Sequence, residues 1–317
     1  MNGWWSWALE PFGYEFMQRA LLATLAVCVA APMCGIWSLS RRLVYLTDAM
    51  SHGILAGVAG ASIVGGSLLV GGLLAAVTMA LFVSLLVVRA RVPEDGAIGV
   101  VGQGLFALGV LGVSLQSDPK ALSHILFGNP LTVDRTDVAI DVALAVAVVL
   151  VIIALRPVLL ATTFDPVHAR TVGMRVGLID ATLLVTLSLT MVTGLVTVGV
   201  LMAVTLVIAP AVTARLLGRS LDSMMAIAVA SGVISGVGGL LISYHAGLPT
   251  GPMVALVAVV QVGLAAVWIR PAGAVRRTLL RTRGGHQASC PDMAVTPVVT
   301  ASRPAVRSSG RSRDSER

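Results

Sequence analysis

An aspartate and a histidine, Asp48 and His52, stand four residues apart in the segment RRLVYLTDAMSHGILAG. Residues four apart lie on the same face of an α-helix, so a carboxylate and an imidazole would be neighbours there. Carboxylate oxygen and imidazole nitrogen suit divalent cations such as Zn²⁺, Mn²⁺ and Fe²⁺. An internal hydrogen bond that only fixes helix packing is the alternative. The pair is a candidate metal site, and its meaning depends on the helix that carries it.

The composition places that helix in a membrane. Of the 317 residues, 56% are hydrophobic and only 12% are charged, and the mean hydropathy is +0.92. A soluble domain carries about 25% charged residues, so this chain lacks the polar groups that would keep a folded surface in water. We therefore predict an all-α polytopic membrane protein.

Nine apolar segments approach the length of about 20 residues that crosses a bilayer as a helix. They cover residues 16–38, 43–66, 67–88, 97–116, 137–160, 177–197, 198–217, 222–243 and 251–269. The second and third segments, like the sixth and seventh, are nearly contiguous, so each pair is either a hairpin or one broken helix. The sequence therefore predicts eight or nine transmembrane helices.

Basic residues are distributed unequally between alternate loops. One side of the predicted topology receives only Arg19, Lys120 and Arg135. The other side receives ten arginines: Arg41, Arg42, Arg89, Arg91, Arg156, Arg170, Arg175, Arg215, Arg219 and Arg270. Cytoplasmic loops of membrane proteins are enriched in Lys and Arg, so we expect the N-terminus outside and the C-terminus in the cytoplasm.

In this topology the candidate pair lies deep in the bilayer. Asp48 follows the arginines at the cytoplasmic edge by about seven residues and His52 by about eleven, which corresponds to depths of roughly 10 and 16 Å. An aspartate at the centre of a membrane helix costs about 2.5–3.5 kcal/mol, so it needs compensation such as a passing cation. His245, at the outer end of a predicted span, is a candidate third ligand. A solvated histidine in a turn is the alternative there.

One cytoplasmic loop, Arg156 to Gly177, carries its own helix signal in FDPVHARTVGMRVG. Asp165 suits the N-cap and Pro166 the first helical position. Gly173 or Gly177 can end the helix. Such a short helix either lies on the membrane surface or docks into a groove of a cytoplasmic partner.

The net charge of +7 belongs mostly to the C-terminal region. Residues 271–317 hold nine arginines and three acidic residues, whereas residues 1–270 hold 13 basic and 12 acidic residues. We predict a transmembrane domain over 1–270 and a basic, disordered cytoplasmic tail over 271–317, attracted to anionic lipid rather than nucleic acid.

Lys120 is the only lysine and follows a proline, which excludes a Gly-Lys-Ser/Thr phosphate loop. If ATP drives the function, a separate subunit must hydrolyse it.

Five segments carry a resemblance to a known family: WSLSRRLVYLTDAMSHGILAGVA, HILFGNPLTV, FDPVHARTVGM, VGVLMAVTLVIAPAVTARLL and SYHAGLPTGPMVAL. Together they resemble the permease subunit of ABC importers for manganese, zinc and iron, from about residue 19 to residue 269. Where that family has Leu-Pro-Gly, this chain has Leu55-Ala56-Gly57, which bears on local helix geometry.

Pro210 lies inside a predicted span, where proline removes a backbone hydrogen bond and kinks a helix. It is a candidate gating position, with a kink for packing as the alternative.

The resemblance implies a permease fold of the metal-chelate type in the bacterial cytoplasmic membrane. It also implies a homodimer, two cytoplasmic ATPase subunits and an extracytoplasmic metal-binding protein. Asp48 and His52 match the family's intramembrane metal site. The residues that match its coupling helix, which receives motion from the ATPase, are Phe164, Asp165, Pro166, Ala169 and Gly173. The chain would be a transport subunit rather than an enzyme, with Mn²⁺, Zn²⁺ or Fe²⁺ as cargo and no permanently bound cofactor.

Two alternative functions are consistent with the same residues. The first is an ion-coupled secondary metal transporter with an Asp–His proton relay, in which the docking helix would have no role. The second is a permease for a metal chelate, although the compact Asp–His pair favours a bare ion.

Overall fold

The computed structural model describes residues 10–114 and 134–284, and this part of the chain is helical apart from short connections. A 3-10 turn at Glu10–Gly13 precedes the first helix. The α-helices are α1 (Glu15–Ser40), α2 (Val44–Val64), α3 (Leu68–Arg89), α4 (Glu94–Ser114), α5 (Arg135–Phe164), α6 (Pro166–Thr171), α7 (Val176–Val198), α8 (Val200–Leu217), α9 (Leu221–Ala246) and α10 (Thr250–Gly284). Each of the nine predicted apolar segments coincides with one long helix.

Eight helices among the described residues are long and apolar enough to cross a membrane, namely α1, α3, α4, α5, α7, α8, α9 and α10. The ninth long helix, α2, has 21 residues but falls outside this set. It is the helix that carries Asp48 and His52. The prediction of an all-α polytopic membrane protein with eight or nine transmembrane helices is confirmed.

Helix α1 occupies the centre of the bundle and packs against α5, α7, α8 and α9. Close approach of its backbone depends on small residues. A Cβ added to Gly35 would lie 1.8 Å from the carbonyl oxygen of Val207 on α8, and a Cβ added to Gly236 on α9 would lie 2.4 Å from Sγ of Cys28. Within lipid the hydrophobic effect does not drive helices together, so small residues that allow close packing contacts stabilise their association. Cys28 is buried, as expected of a small packing residue.

The two nearly contiguous segment pairs are hairpins rather than broken helices. Between α7 and α8 only Gly199 intervenes, with φ 91° and ψ 159°. A Cβ on Gly194 would lie 2.9 Å from Cβ of Ala203, whereas nine residues of continuous helix would separate them by about 13 Å. The chain therefore reverses at Gly199, in a conformation that glycine adopts without the steric cost of a side chain.

Helices α2, α3 and α4 form a second packed group. Helix α3 runs antiparallel to α2, so that Gly57 faces Gly71. Helix α4 runs parallel to α2 and in register with it. A Cβ on Gly102 would lie 3.1 Å from Cβ of Ala49, and a Cβ on Gly112 would lie 3.3 Å from Cβ of Ala59. The glycines on α4 thus let α2 pack closely against it, and these contacts fix the axial position of α2 relative to α4.

The chain divides into two units, Met1–Ala272 and Gly273–Arg317. Helix α10 extends to Gly284, so the first residues of the tail predicted over 271–317 are helical. The rest of that tail lies outside the described residues. The same is true of Lys120 and most of the loop that contains it.

Candidate functional site

Helix α2 presents Asp48 and His52 on its least covered side. Both side chains are half-buried, whereas Ala49, Met50 and Ser51 between them are buried against the bundle. The hydroxyl of Ser51 donates to the backbone carbonyl of Asp48 at 2.6 Å. Within residues 10–114 and 134–284 the two ionisable side chains form no hydrogen bond or ion pair. The packing-only Asp–His hydrogen bond is therefore not present in the described structure.

The ring of His52 contacts the neighbouring helix α4. Its centroid lies 5.1 Å from that of Phe106, and the planes meet edge to face at 73°. Its Nδ1 atom is buried and has no hydrogen-bond partner among the described residues. A buried polar atom left unsatisfied costs about 1–3 kcal/mol, so a group that binds this nitrogen would be stabilising. A carboxylate and an imidazole on one helical turn fit a divalent cation as that group.

His245 is not brought near this pair. It lies at the end of α9, exposed, with Nδ1 2.9 Å from the carbonyl oxygen of Leu241. Asp222, at the start of α9, pairs with Arg156 near the end of α5. His245 is therefore about 35 Å along α9 from the end of the bundle where α5 finishes. No group of three or more His, Cys, Asp or Glu side chains in the described residues is arranged to hold a metal.

The predicted short helix is present as α6, between α5 and α7. The Asp165 side chain caps it by accepting from the backbone N–H of His168 at 2.8 Å, and Pro166 occupies its first turn. The turn after it contains Gly173 at φ 85°. Ala169 is fully buried, whereas Phe164 is 68% exposed and Val167 is 70% exposed. The α6 segment thus anchors one side to the bundle and leaves an apolar side exposed.

A contact that the sequence did not predict joins the helices that flank α6 to the turn between α1 and α2. Arg41, which marked only the membrane edge in the sequence, donates from Nε to Thr163 Oγ1 at 3.0 Å and from Nη2 to Thr162 Oγ1 at 2.7 Å. Its third partner is the carboxylate of Asp180 on α7. We call these four residues the Arg41 clasp. It ties the turn between α1 and α2 to the helices on both sides of α6. Its partners are 121 or more residues away in the sequence, so no local pattern shows it.

Pro210 is buried inside α8, and the helix Val200–Leu217 is continuous across it. Its neighbours in the chain, Ala209 and Ala211, are buried as well. A gating role for Pro210 stays a prediction.

Comparison with known proteins agrees with this architecture. The model of the ABC 3 transport family matches residues 13–269. The chain is 34% identical to the "Probable iron transport system membrane protein" of Haemophilus influenzae over 250 residues, which covers 79% of this chain and 92% of the relative. It is 35% identical to the "Manganese transport system membrane protein MntC" of Halalkalibacterium halodurans, over 78% of this chain and 86% of the relative.

Two solved structures share the fold. PsaBC from Streptococcus pneumoniae in complex with Fab superposes with a TM-score of 0.78 at 30% identity, over 81% of this chain and 94% of that chain. An inward-facing metal-chelate type ABC transporter superposes with a TM-score of 0.63 at 15% identity, over 79% and 85% of the two chains, a likeness of fold alone. The resemblance to permeases of metal-importing ABC systems is thereby confirmed, and the chain belongs to the ABC 3 transport family.

Proposed function

We propose that this chain is the permease subunit of an ATP-driven importer that carries a bare divalent transition metal ion, with Asp48 and His52 on its path. The relatives are named as manganese and iron transport membrane proteins, which supports Mn²⁺ or Fe²⁺ as cargo before Zn²⁺. The observation that carries the proposal is a carboxylate and an imidazole that form no hydrogen bond or ion pair among the described residues, on one turn of a helix in a membrane protein.

The remaining parts of the proposal follow from the family. Two copies of the chain enclose the path, an extracytoplasmic metal-binding protein delivers the ion, and two ATPase subunits bind at the cytoplasmic face. The positive-inside distribution supports an outer N-terminus and a cytoplasmic C-terminus in the bacterial cytoplasmic membrane. Rocking of the helices then exposes the pair to each side in turn.

The α6 segment is the proposed ATPase contact. Exposed Phe164 and Val167 supply an apolar surface of the kind that inserts into a partner's groove. The Arg41 clasp connects the helices that flank α6 to the turn immediately before α2, so a displacement of α6 would be passed through that turn to the helix that holds the pair. This route gives ATP hydrolysis a direct mechanical connection to the metal path.

Uptake of radiolabelled Mn²⁺ in cells that carry the variant in place of the native chain tests the site. Asp48→Ala and His52→Ala should each reduce uptake at least about tenfold, because each removes a direct ligand. His245→Ala should leave uptake unchanged, since that residue lies at the far end of α9. The amount of each variant in the membrane is measured by immunoblot.

Normal uptake by Asp48→Ala and His52→Ala, at normal amounts in the membrane, would remove the site. Uptake that follows the proton gradient and ignores ATP depletion would instead support the secondary transporter. Uptake competed by an organic iron chelate, but not by free Mn²⁺, would support the chelate permease.

A second comparison tests the α6 contact. Phe164→Ala should abolish uptake without lowering the thermal stability of the purified chain, because the side chain is exposed. Phe82→Ala is the matched control, since Phe82 is an exposed phenylalanine on α3, away from α6. Equal uptake by the two variants would contradict the assignment of α6 to the ATPase.

A further inference from the structure

A third polar side chain, Gln103, stands beside the candidate pair on α4. It is exposed on the described chain and is the tenth of 21 residues in α4, so it lies about 14 Å from the start of that helix. An uncharged amide at that depth has no partner in lipid, and burying one without a hydrogen bond costs a few kcal/mol. In a membrane protein such a residue faces a polar path or another chain.

The register between α2 and α4 gives the height of Gln103. The hydroxyl of Tyr45 lies over Gly99, where an added Cβ would be 2.5 Å away, and the ring of His52 contacts Phe106. Seven residues on each parallel helix separate these two contacts. Because Gly102 faces Ala49, Gln103 lies about level with Met50, about 3 Å along the axis from both Asp48 and His52.

The helical period gives its direction. Gly99, Gln103 and Phe106 follow the spacing of four and three residues that forms one stripe along a helix. The two ends of this stripe contact Tyr45 and His52, so its middle residue points to the same side of the helix pair. Gln103 therefore shares the half-open face of α2 and α4 with Asp48 and His52.

We propose that the carboxamide oxygen of Gln103 is a third ligand for the cation in transit and that it biases transport toward Mn²⁺ or Fe²⁺ over Zn²⁺. This inference rests on the proposed function of the pair. Its physical basis is ligand chemistry: carboxylate, carbonyl and water oxygens suit Mn²⁺, whereas Zn²⁺ is commonly four-coordinate with nitrogen and sulfur ligands. Adding a neutral oxygen to one carboxylate and one imidazole moves the set toward the harder ion.

The test compares metals rather than total uptake. Gln103→Leu should reduce radiolabelled Mn²⁺ uptake at least about tenfold and reduce Zn²⁺ uptake much less, so that Zn²⁺ becomes the better competitor. Gln103→Glu keeps an oxygen at the same position and should restore most of the Mn²⁺ uptake. Thr78→Val is the control, because it removes a half-buried hydroxyl on α3 that, among the described residues, bonds only the Leu74 carbonyl of its own helix.

The inference is overturned if Gln103→Leu keeps the native preference between Mn²⁺ and Zn²⁺, or if it loses uptake of both metals in equal proportion. It is also overturned if Gln103→Glu does not restore Mn²⁺ uptake. If Gln103→Leu does not accumulate in the membrane, Gln103→Asn is scored by the same criteria, since it withdraws the oxygen by one methylene. Should Asp48→Ala abolish uptake while Gln103→Leu behaves as the native chain, only this inference fails. Normal uptake by Asp48→Ala would instead refute the proposed function itself.

Discussion

The crossing of α2 and α3 gives a quantitative prediction for Gly57. A Cβ at this position would lie 2.0 Å from the carbonyl oxygen of Gly71 and 2.6 Å from Cβ of Ala75. Carbon and carbonyl oxygen approach no closer than about 3.3 Å, so the two backbones must separate by about 1.3 Å to admit a methyl group. Overpacking of this kind costs about 1–3 kcal/mol.

Gly60 on the same helix is the matched control. A Cβ there would meet nothing within 4 Å, so Gly60→Ala should be neutral or stabilising by up to about 1 kcal/mol through helix propensity. The two alanine variants should therefore differ by about 1–4 kcal/mol.

Thermal unfolding of the purified variants in detergent measures this difference. One kcal/mol shifts the melting temperature of a chain of this size by about 2–4 °C, so Gly57→Ala should melt several degrees below Gly60→Ala. Metal uptake should fall for Gly57→Ala too, because α2 carries the pair. Equal melting temperatures would refute the close helix crossing on which the reasoning depends.

Substitutions at three further positions test other features. Arg41→Ala breaks three contacts of a nearly buried guanidinium, so it should lower the free energy of unfolding by about 2–4 kcal/mol and abolish uptake. Arg41→Lys keeps the charge but not the planar set of donors, so it should recover only part of the stability and part of the uptake. Melting temperature and metal uptake of the two variants measure these effects. Gly199→Ala forces a side chain into φ 91° and should cost about 1–3 kcal/mol in the same melting assay. Pro210→Ala restores a helical N–H and should raise the melting temperature slightly, with a loss of uptake only if the proline gates the path.

Much of the fold could be predicted because lipid imposes a length and a polarity on each spanning segment. The cap at Asp165 and Pro166 was readable for a similar reason, since local hydrogen bonding fixes a helix start from a few adjacent residues. The Arg41 clasp could not be predicted from the sequence, because its residues come from segments that are far apart in the chain. The alignment of Gln103 with Asp48 depends on the parallel register of α2 and α4, which no local pattern encodes.

Among the described long helices only α2 falls outside the set apolar enough to cross a membrane, and this bears on how the protein is inserted. The eight other long helices are apolar enough to partition into the bilayer individually, but α2 carries an aspartate and a histidine that oppose insertion. Its tight crossing with α3, the next helix to leave the ribosome, offers a remedy. Insertion of α2 and α3 together, as a paired hairpin that ends at Arg89, would offset that cost for the helix that carries Asp48 and His52.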